Sequence, residues 1–337
     1  MDEKIINKLQ KQLTSIKFLE DFSNHRWLAF QNYALNWLCS GFYTKAMPFG
    51  IVLEIFGNPS TGKSFFVNTT LAEVQKIGGY AILDDVEKRY FPAYGEAAGI
   101  DNDKLLYCRS VTVEEHFEQM KSLIEKIRKD DTENPICICL DSLAMLSSNT
   151  EQSDRFNKED MMRKAKKIRQ AIRQDFSFYA GNRVLYIMTN HVTNTGNMYG
   201  PKTTTPGGTV MPFQSTIRIE TKVSEKIFDS RGNCTGVKFT MKTAKSSITT
   251  PFKEVTVEID FVEGLLPYSG LAEVLYKEFK IDRTRKGTKE KKAKYSIDGK
   301  EFYEKGIEAI VNKYNLLQDV ALPSRPKLIA KKEETNG

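Results

Sequence analysis

One eight-residue run restricts the fold more than any other feature of the sequence. Residues 57–64 read Gly57-Asn58-Pro59-Ser60-Thr61-Gly62-Lys63-Ser64 and fit the pattern G-x-x-x-x-G-K-[ST]. The run follows a short apolar segment, GIVLEIFG, and precedes FFVNTTLAEVQKI, which is typical of a helix. A glycine-rich loop in that position directs backbone N–H groups and the positive end of a helix at phosphates. The run therefore predicts a bound nucleoside triphosphate, with Lys63 at the β- and γ-phosphates and Ser64 on Mg²⁺.

Further apolar segments predict the sheet that carries this loop. YAILDDVE, ICICLDSLAML and RVLYIMTN follow in order, and helix-like stretches separate them. Apolar strands that alternate with helices indicate a mostly parallel sheet covered on both faces. VKFTMKTAK and FKEVTVEIDF alternate with a period near two, which predicts an antiparallel pair. We therefore expect an α/β fold with a phosphate-loop NTPase core.

Acidic and polar side chains follow several of these strands. Asp141 ends ICICLD, where a carboxylate would orient the water shell of a nucleotide-bound Mg²⁺. Asp84, Asp85 and Glu87 follow YAIL, and spacing alone does not decide which of them orients an attacking water. His191 follows the fourth strand, at the edge where open α/β sheets bind ligands. A hydrogen bond to the γ-phosphate and a purely structural role are both open for it.

Composition and charge restrict the cellular compartment and the kinds of partner expected for this protein. The 337 residues include 50 basic and 43 acidic side chains, a net charge of +7. No apolar run is long enough to span a bilayer, and MDEKIINKLQKQL does not resemble a signal peptide, so we expect a cytoplasmic protein without membrane contact. The five cysteines fit no zinc spacing, and Cys137 and Cys139 share one face of a strand, which favours buried thiols in a reducing compartment. Residues 281–294 hold seven basic and two acidic side chains, either as a polyanion-binding stretch or as a solvated loop.

Four regions are expected along the chain. Apolar positions at helical spacing over residues 1–38, in two groups that run from Ile5 to Leu19 and from Trp27 to Leu35, predict two short helices. Residues 39–269 form the core, and residues 270–322 form a small basic α/β domain with a turn in SIDGKEF and a helix in EKGIEAIVNKYNLL. Residues 323–337 form a flexible tail.

The phosphate loop and the segments around it resemble the RecA family of recombinases over about residues 33–315. The resemblance is closest to bacterial and phage members, including the UvsX type. It rests on NYALNWLCSGFYTKAMPFGIVLEIFG, GGYAILDDVEKRYFPAYGEAAGID, ICICLDSLAML, NRVLYIMTNH, TGNMYGPKTTTPGGTVMPFQSTIRIE and TTPFKEVTVEIDFVEG. The phosphate loop alone indicates only an NTPase, whereas the TPGG stretch and the PF-containing hairpin indicate a recombinase. The resemblance implies a RecA-like core with a short N-terminal oligomerisation arm, and for the stripe from Ile5 to Ile16 packing on the next subunit and docking on its own core are both open.

The resemblance also implies roles in an ATP site. It assigns water activation to Glu87, adenine stacking to Tyr94 and metal orientation to Asp141. With Lys63, it makes Glu87 and His191 the catalytic candidates. His191 stands where bacterial members usually have a glutamine that senses the γ-phosphate, and it keeps a hydrogen-bonding side chain there.

The family completes its ATP site with two lysines of the neighbouring subunit. Lys245 matches one of them, and Ser247 stands at the second position. Lys242 is an alternative source of the missing charge. The resemblance therefore implies ATP bound between subunits, with Lys245 at the nucleotide.

Two loops bind DNA in this family. The first matches residues 147–159, followed by the basic helix DMMRKAKKIRQAIRQ, in which Asp160 replaces a family arginine. The second matches residues 193–208, where Tyr199 either contacts bases or packs on its own domain. The candidate DNA contacts are Arg163, Lys164, Lys167, Met198, Tyr199, Lys202, Gly207 and Gly208.

These features predict an ATP-dependent recombinase that forms helical filaments on single-stranded DNA and pairs it with homologous duplex DNA. Its cofactors would be ATP and Mg²⁺, and its protein partners would be loader and single-strand-binding proteins in a bacterial cell or a phage-infected host. One alternative is a ring-forming helicase of the same fold. The other is a DNA-coating regulatory protein with a degenerate ATPase, which the unusual His191, Asp160 and Ser247 favour.

Overall fold

The structure is a computed structural model that describes residues 26–147, 170, 172, 175–194, 203–206, 210–288 and 292–318. The apolar stripe predicted between Ile5 and Leu19, the tail 323–337 and most of both predicted DNA loops lie outside these residues. Among the described helices, none is long and apolar enough to cross a membrane.

The first half of the chain carries the phosphate loop between a strand and a helix, as predicted. Its elements are β1 (Trp27–Leu28), α1 (Tyr33–Ser40), β2 (Met47–Pro48), β3 (Val52–Gly57), α2 (Lys63–Lys76), β4 (Tyr80–Asp85), α3 (Pro92–Ala97), β5 (Leu106–Cys108), α4 (Val113–Asp130) and β6 (Ile136–Asp141). Residues 175–181 are helical and lead into the next strand.

The second half adds a long hairpin and a small domain. Its elements are β7 (Val184–Asn190), β8 (Thr193–Asn194), β9 (Thr203–Thr204), α5 (Val210–Gln214), β10 (Ile217–Phe228), β11 (Cys234–Ser246), β12 (Glu254–Asp260), β13 (Gly264–Leu265), α6 (Leu271–Lys277), β14 (Asp282–Arg285), β15 (Lys294–Ile297), β16 (Lys300–Tyr303) and α7 (Ile307–Tyr314).

A nine-stranded sheet in the order β13-β12-β11-β10-β3-β7-β6-β4-β5 forms the centre of the molecule. Every pair from β10 to β5 is parallel, and every pair from β10 to β13 is antiparallel. The predicted α/β class with a mostly parallel sheet is confirmed, as is the antiparallel pairing of β11 with β12. The register places Asp141 opposite Asp85 and Asn190 opposite Phe56. The carboxyl ends of β3, β4, β6 and β7 therefore meet at one edge.

Alternating strand residues supply two apolar layers, one on each face of the sheet. Leu53 and Ile55 belong to an apolar cluster that includes residues of α1, α2, α6 and α7, whereas Val52 belongs to a second cluster with residues of α4 and the helical segment 175–181. The same period of two places Cys137 and Cys139 in the first layer, where both are buried and free. The predicted buried thiols are therefore confirmed, and both faces of the sheet are covered.

The helix predicted from Trp27 is wrong in its first turn. Trp27 and Leu28 form a strand that pairs with β2, and α1 begins only at Tyr33. The Asn32 side chain accepts a hydrogen bond from Leu35 N at 2.7 Å, so it caps the helix there. Strand pairing of residues 27 and 28 overrides their apolar spacing.

The small C-terminal sheet β14-β15-β16 has the predicted turn and helix. Asp298 and Gly299 connect β15 to β16 with positive φ values of 49° and 72°, which an Asp-Gly pair adopts readily. Arg283 of the basic stretch lies in β14 and forms an ion pair with Glu273 at 2.9 Å. Arg285 of the same strand donates to Lys292 O at 3.2 Å. Part of the basic stretch is therefore a strand, and both of its arginines are bonded within the chain.

Candidate nucleotide-binding site

Close contact with β10 holds the phosphate loop in place. A Cβ on Gly57 would lie 2.4 Å from the carbonyl oxygen of Thr221, so only glycine fits at the end of β3. Thr61 Oγ1 lies 2.8 Å from Thr221 Oγ1, and it also donates to Asn58 O at 2.8 Å. Gly62, with φ of 90°, turns the chain into α2. The loop backbone is thereby fixed at the positive end of a helix.

Lys63 points back into this loop. Its ammonium donates to Gly57 O at 3.0 Å and to Asn58 O at 2.8 Å. Burial lowers the pKa of Lys63, although the nearby carboxylates of Asp141 and Glu87 oppose the shift. An ammonium has three donors, and these bonds occupy two of them. A cation held at the phosphate loop with a donor to spare suits an anionic phosphate.

Ser64 and Asp141 meet where α2 begins and β6 ends. Ser64 Oγ donates to Asp141 Oδ2 at 2.8 Å, and Thr189 Oγ1 donates to Oδ1 of the same carboxylate. Burial raises the pKa of Asp141, and the hydrogen bonds from Thr189 and Ser64 offset part of that rise. A hydroxyl and a carboxylate are hard oxygen ligands, the type that Mg²⁺ prefers. These residues fit the predicted metal, since a bound cation would favour the charged carboxylate.

Glu87 lies at the same sheet edge, and both of its carboxylate oxygens have partners. Oε1 accepts from Ser142 Oγ at 2.7 Å and lies 2.9 Å from His191 Nε2. Oε2 lies 3.0 Å from an Arg89 guanidinium nitrogen. Burial raises the pKa of Glu87, but the hydrogen bonds from Ser142 and His191 and the charge of Arg89 outweigh it and hold the pKa below its ordinary value. Glu87 is therefore an ionised acceptor.

The other two carboxylates that the sequence left as candidates have different partners. Asp85 Oδ2 accepts from Tyr90 N at 2.8 Å and from the Tyr107 hydroxyl at 2.9 Å. Asp84 is fully buried on the opposite face of β4, where its Oδ2 lies 2.6 Å from His116 Nδ1. Asp85 thus shapes the turn after β4, and Asp84 belongs to the core.

A cavity of about 380 Å³ adjoins the Ser64–Asp141 pair. Tyr94 lines it from α3 and is 74% exposed, while Phe261 lines it from the end of β12 and is 57% exposed. Exposed aromatic rings around an apolar cavity suit the flat face of a nucleobase. Tyr94 was a predicted site residue, whereas the sequence reasoning missed Phe261. A signal for it was available in the bulky apolar pair that follows the polar end of VTVEID.

A buried carboxylate links this edge to the predicted second DNA loop. Glu54 on β3 accepts from Asn190 Nδ2 at 2.9 Å and forms an ion pair with Arg218 on β10. Asn190 Nδ2 also donates to Pro206 O at 2.9 Å, and Arg218 donates to Thr205 Oγ1 at 3.3 Å. Sequence reasoning missed this cluster, which attaches residues 205 and 206 to the strands beside the phosphate loop.

Lys245 lies on β11, where its ammonium donates to Phe213 O at 2.9 Å. Burial, followed by the charge of Arg218, lowers the pKa of Lys245. Lys242 pairs with Glu220 in the β10–β11 register. The assignment of Lys245 or Lys242 to the ATP site of a neighbouring subunit stays a prediction.

The predicted DNA contacts fall outside the described part of the chain. This applies to Arg163, Lys164, Lys167, Met198, Tyr199, Lys202, Gly207 and Gly208. Their assignments stay predictions.

Comparison with known proteins agrees with this architecture. The RecA N-terminal domain family matches residues 32–266. Protein RecA of Lactobacillus acidophilus is 30% identical over 303 residues, which cover 86% of this chain and 81% of that protein. Protein RecA of Lactobacillus delbrueckii subsp. bulgaricus is 33% identical over 65% of this chain and 64% of its own length. Protein RecA of Thermus aquaticus is 31% identical over 68% of this chain and 66% of its own length. This chain thus spans just under two thirds of the latter two relatives.

Proposed function

The chain belongs to the RecA family of recombination and repair proteins, and from that premise we propose that it is an ATP-dependent recombinase. It would form filaments on single-stranded DNA, pair that strand with homologous duplex DNA and hydrolyse ATP faster when DNA is bound. The observation that carries the proposal is the contact of Glu87 with Ser142 and His191 at the sheet edge that also holds the phosphate loop.

The residues at this sheet edge would have separate roles in ATP hydrolysis. Backbone N–H groups of the loop and Lys63 would bind the phosphates, and Ser64 and Asp141 would hold Mg²⁺. Bound Mg²⁺ would supply positive charge to the β- and γ-phosphate oxygens. Glu87, ionised and oriented by Ser142, would accept a hydrogen bond from the attacking water and orient it in line with the scissile bond. Tyr94 and Phe261 would hold the base.

His191 connects this chemistry to DNA. Its Nε2 atom is bonded to Glu87 Oε1, and its backbone N–H donates to Asn190 Oδ1 at 3.0 Å. Asn190 in turn bonds to Pro206 at the end of the predicted second DNA loop. We propose that a γ-phosphate contact at His191 and a DNA contact in that loop influence each other through Asn190.

The experiment measures ATP turnover of the full chain with and without single-stranded DNA, together with strand exchange and negative-stain imaging. We expect DNA to stimulate turnover, and we expect Glu87→Gln to lower it by about 10²-fold or more, because the amide cannot accept a proton. Glu96→Gln on the exposed face of α3 is the matched control and should turn over ATP like the parent chain. Parent-like turnover by Glu87→Gln would refute the catalytic assignment.

The imaging and strand-exchange arms separate the remaining alternatives. A recombinase gives helical filaments and exchanges strands, whereas a helicase gives rings and unwinds duplex DNA. ATP binding without DNA-stimulated turnover would identify a DNA-coating protein with a degenerate ATPase.

A further inference from the structure

Both oxygens of the Glu87 carboxylate are engaged. Ser142 and His191 share Oε1, and the partner described for Oε2 is the Arg89 guanidinium at 3.0 Å. A carboxylate that must accept a hydrogen bond from an attacking water needs a lone pair directed at that water. Each carboxylate oxygen has two lone pairs, so Ser142 and His191 use both on Oε1, whereas Oε2 keeps one that Arg89 does not use. The guanidinium charge beside Oε2 weakens that oxygen as an acceptor for a water proton, so Glu87 becomes an effective base only when Arg89 leaves.

Arg89 is the partner that leaves at the lowest cost. Its side chain is 79% exposed, while that of Glu87 is 10% exposed. An ion pair with one solvent-exposed member contributes little to stability, because water replaces the lost contact. Ser142, in contrast, is fully buried, and His191 is held by its chain neighbour Asn190.

The backbone of Arg89 is fixed on the nucleotide side of this edge. Asp85 Oδ1 accepts from Arg89 N at 3.1 Å, and Lys88, with φ of 56°, forms the tight turn before it. The Arg89 side chain lines the same cavity as Ser64 and Asp141. A flexible guanidinium on a fixed backbone at this position is within reach of a phosphate bound at the loop. Guanidinium also binds phosphate oxygens in a bidentate geometry that a lysine cannot match.

We propose that Arg89 contacts the terminal phosphate of the bound triphosphate and exchanges Glu87 for it. The proposal rests on the function proposed above for Glu87. With ATP bound, Arg89 moves to the γ-phosphate and stabilises the charge on its oxygens, and Oε2 of Glu87 becomes available to water. The water oxygen then bonds to the γ-phosphorus, the bond from that phosphorus to the bridging oxygen of ADP breaks, and Glu87 Oε2 accepts the water proton.

The exchange also makes the site selective for the triphosphate. ADP lacks the γ-phosphate, so with ADP bound Arg89 stays on Glu87 and occupies Oε2. Arg89 therefore acts as a cation from within the same subunit that distinguishes ATP from ADP.

The test compares Arg89→Ala, Arg89→Lys and the control Lys88→Asn in the full chain. Lys88 is an exposed cation on the same turn, and asparagine tolerates its positive φ. Affinities for ATPγS and for ADP are measured by competition against a fluorescent ADP analogue. We expect Arg89→Ala to weaken ATPγS binding about tenfold, as for loss of a charge-assisted hydrogen bond, while ADP binding stays unchanged. Arg89→Lys should recover part of the loss, and Lys88→Asn should match the parent chain.

Turnover gives a second readout that a purely structural role would not move. Because Arg89 would stabilise the charge on the γ-phosphate oxygens as the bond to ADP breaks, Arg89→Ala should also lower kcat, and Arg89→Lys should recover part of it. An unchanged ratio of ATPγS to ADP affinity in Arg89→Ala would overturn the proposal. If the parent chain neither binds ATPγS nor hydrolyses ATP on DNA, the proposed function itself fails, and the two failures are thus distinct.

Discussion

Replacing His116 with leucine removes the centre of a polar chain inside the core. His116 Nδ1 lies 2.6 Å from Asp84 Oδ2, and its Nε2 lies 2.6 Å from the Tyr186 hydroxyl. All three residues are fully buried, and Tyr186 also stacks on Tyr179 with ring centroids 4.9 Å apart. Leucine fills a similar volume but offers neither hydrogen bond. The substitution therefore tests what the hydrogen bonds joining Asp84, His116 and Tyr186 contribute to the stability of the protein.

The expected cost follows from what the substitution leaves behind. Asp84 keeps its hydrogen bonds from Ser110, including the one from Ser110 N at 2.8 Å to Oδ1, and the Tyr186 hydroxyl loses its imidazole partner. Leaving a buried donor or acceptor without its partner costs about 1–3 kcal/mol, and more when that group is charged. That is a large fraction of a typical unfolding free energy of roughly 5–15 kcal/mol. We expect His116→Leu to lower the urea midpoint clearly, measured by far-UV circular dichroism.

The cost should depend on pH in a defined direction. Burial raises the pKa of Asp84, but the hydrogen bond and charge of His116 and the bonds from Ser110 outweigh it, so the folded pKa is lowered. In the parent protein the stabilisation from ionised Asp84 is present above the ordinary carboxyl pKa, and it is lost only as the pH falls through the lowered folded pKa. In His116→Leu the burial of Asp84 dominates and raises the folded pKa of its carboxyl group. Asp84 is therefore protonated as the pH falls, and protonation removes the cost of burying its charge. The deficit should thus be larger at pH 8 than at pH 5.

A triple variant shows whether the cost comes from leaving Asp84 and Tyr186 without a hydrogen-bond partner or from losing the hydrogen bonds themselves. Asp84→Leu and Tyr186→Phe, combined with His116→Leu, remove the three connected polar side-chain groups together, although the Ser110 N–H loses its acceptor. Apolar replacement of a whole buried polar group is often neutral, so the triple variant should recover most of the lost stability. The reasoning is refuted if His116→Leu is as stable as the parent chain, or if the triple variant is no more stable than His116→Leu.

Two further predictions concern the nucleotide site. Gly57→Ala places a methyl group 2.4 Å from Thr221 O, so the phosphate loop must separate from β10. We expect the variant to lose ATPγS binding in a fluorescence competition assay. Its circular dichroism spectrum should remain that of a folded protein. Parent-like affinity would contradict the close approach. Tyr94→Ala and Phe261→Ala should each weaken ADP about tenfold through lost base stacking, without changing the affinity for inorganic triphosphate. Equal weakening of both ligands would show that the rings do not bind the base.

The sequence predicted the parts of the site that are encoded locally. Eight consecutive residues specify the phosphate loop, since its chemistry is backbone N–H groups, one lysine and one hydroxyl between a strand and a helix. Strand ends were also readable, because an apolar run that stops at a polar residue marks the sheet edge. Asp141, Glu87 and His191 were placed at this edge in that way. The first turn of the predicted helix at Trp27 was wrong because pairing with a strand 19 to 21 residues away decided its conformation.

Tertiary structure decided which of these side chains meet. Ser142 and His191 reach Glu87 across 55 and 104 residues of chain, because the sheet places β4, β6 and β7 side by side. Spacing treated Asp84 and Glu87 alike, yet the alternation of β4 turns Asp84 into the core towards His116. Local sequence contains the chemistry of each residue, whereas strand order and side-chain alternation determine its partners. The phosphate loop was therefore determined by sequence alone, and the Arg89–Glu87 pair and the Asp84–His116–Tyr186 chain became visible only in the folded molecule.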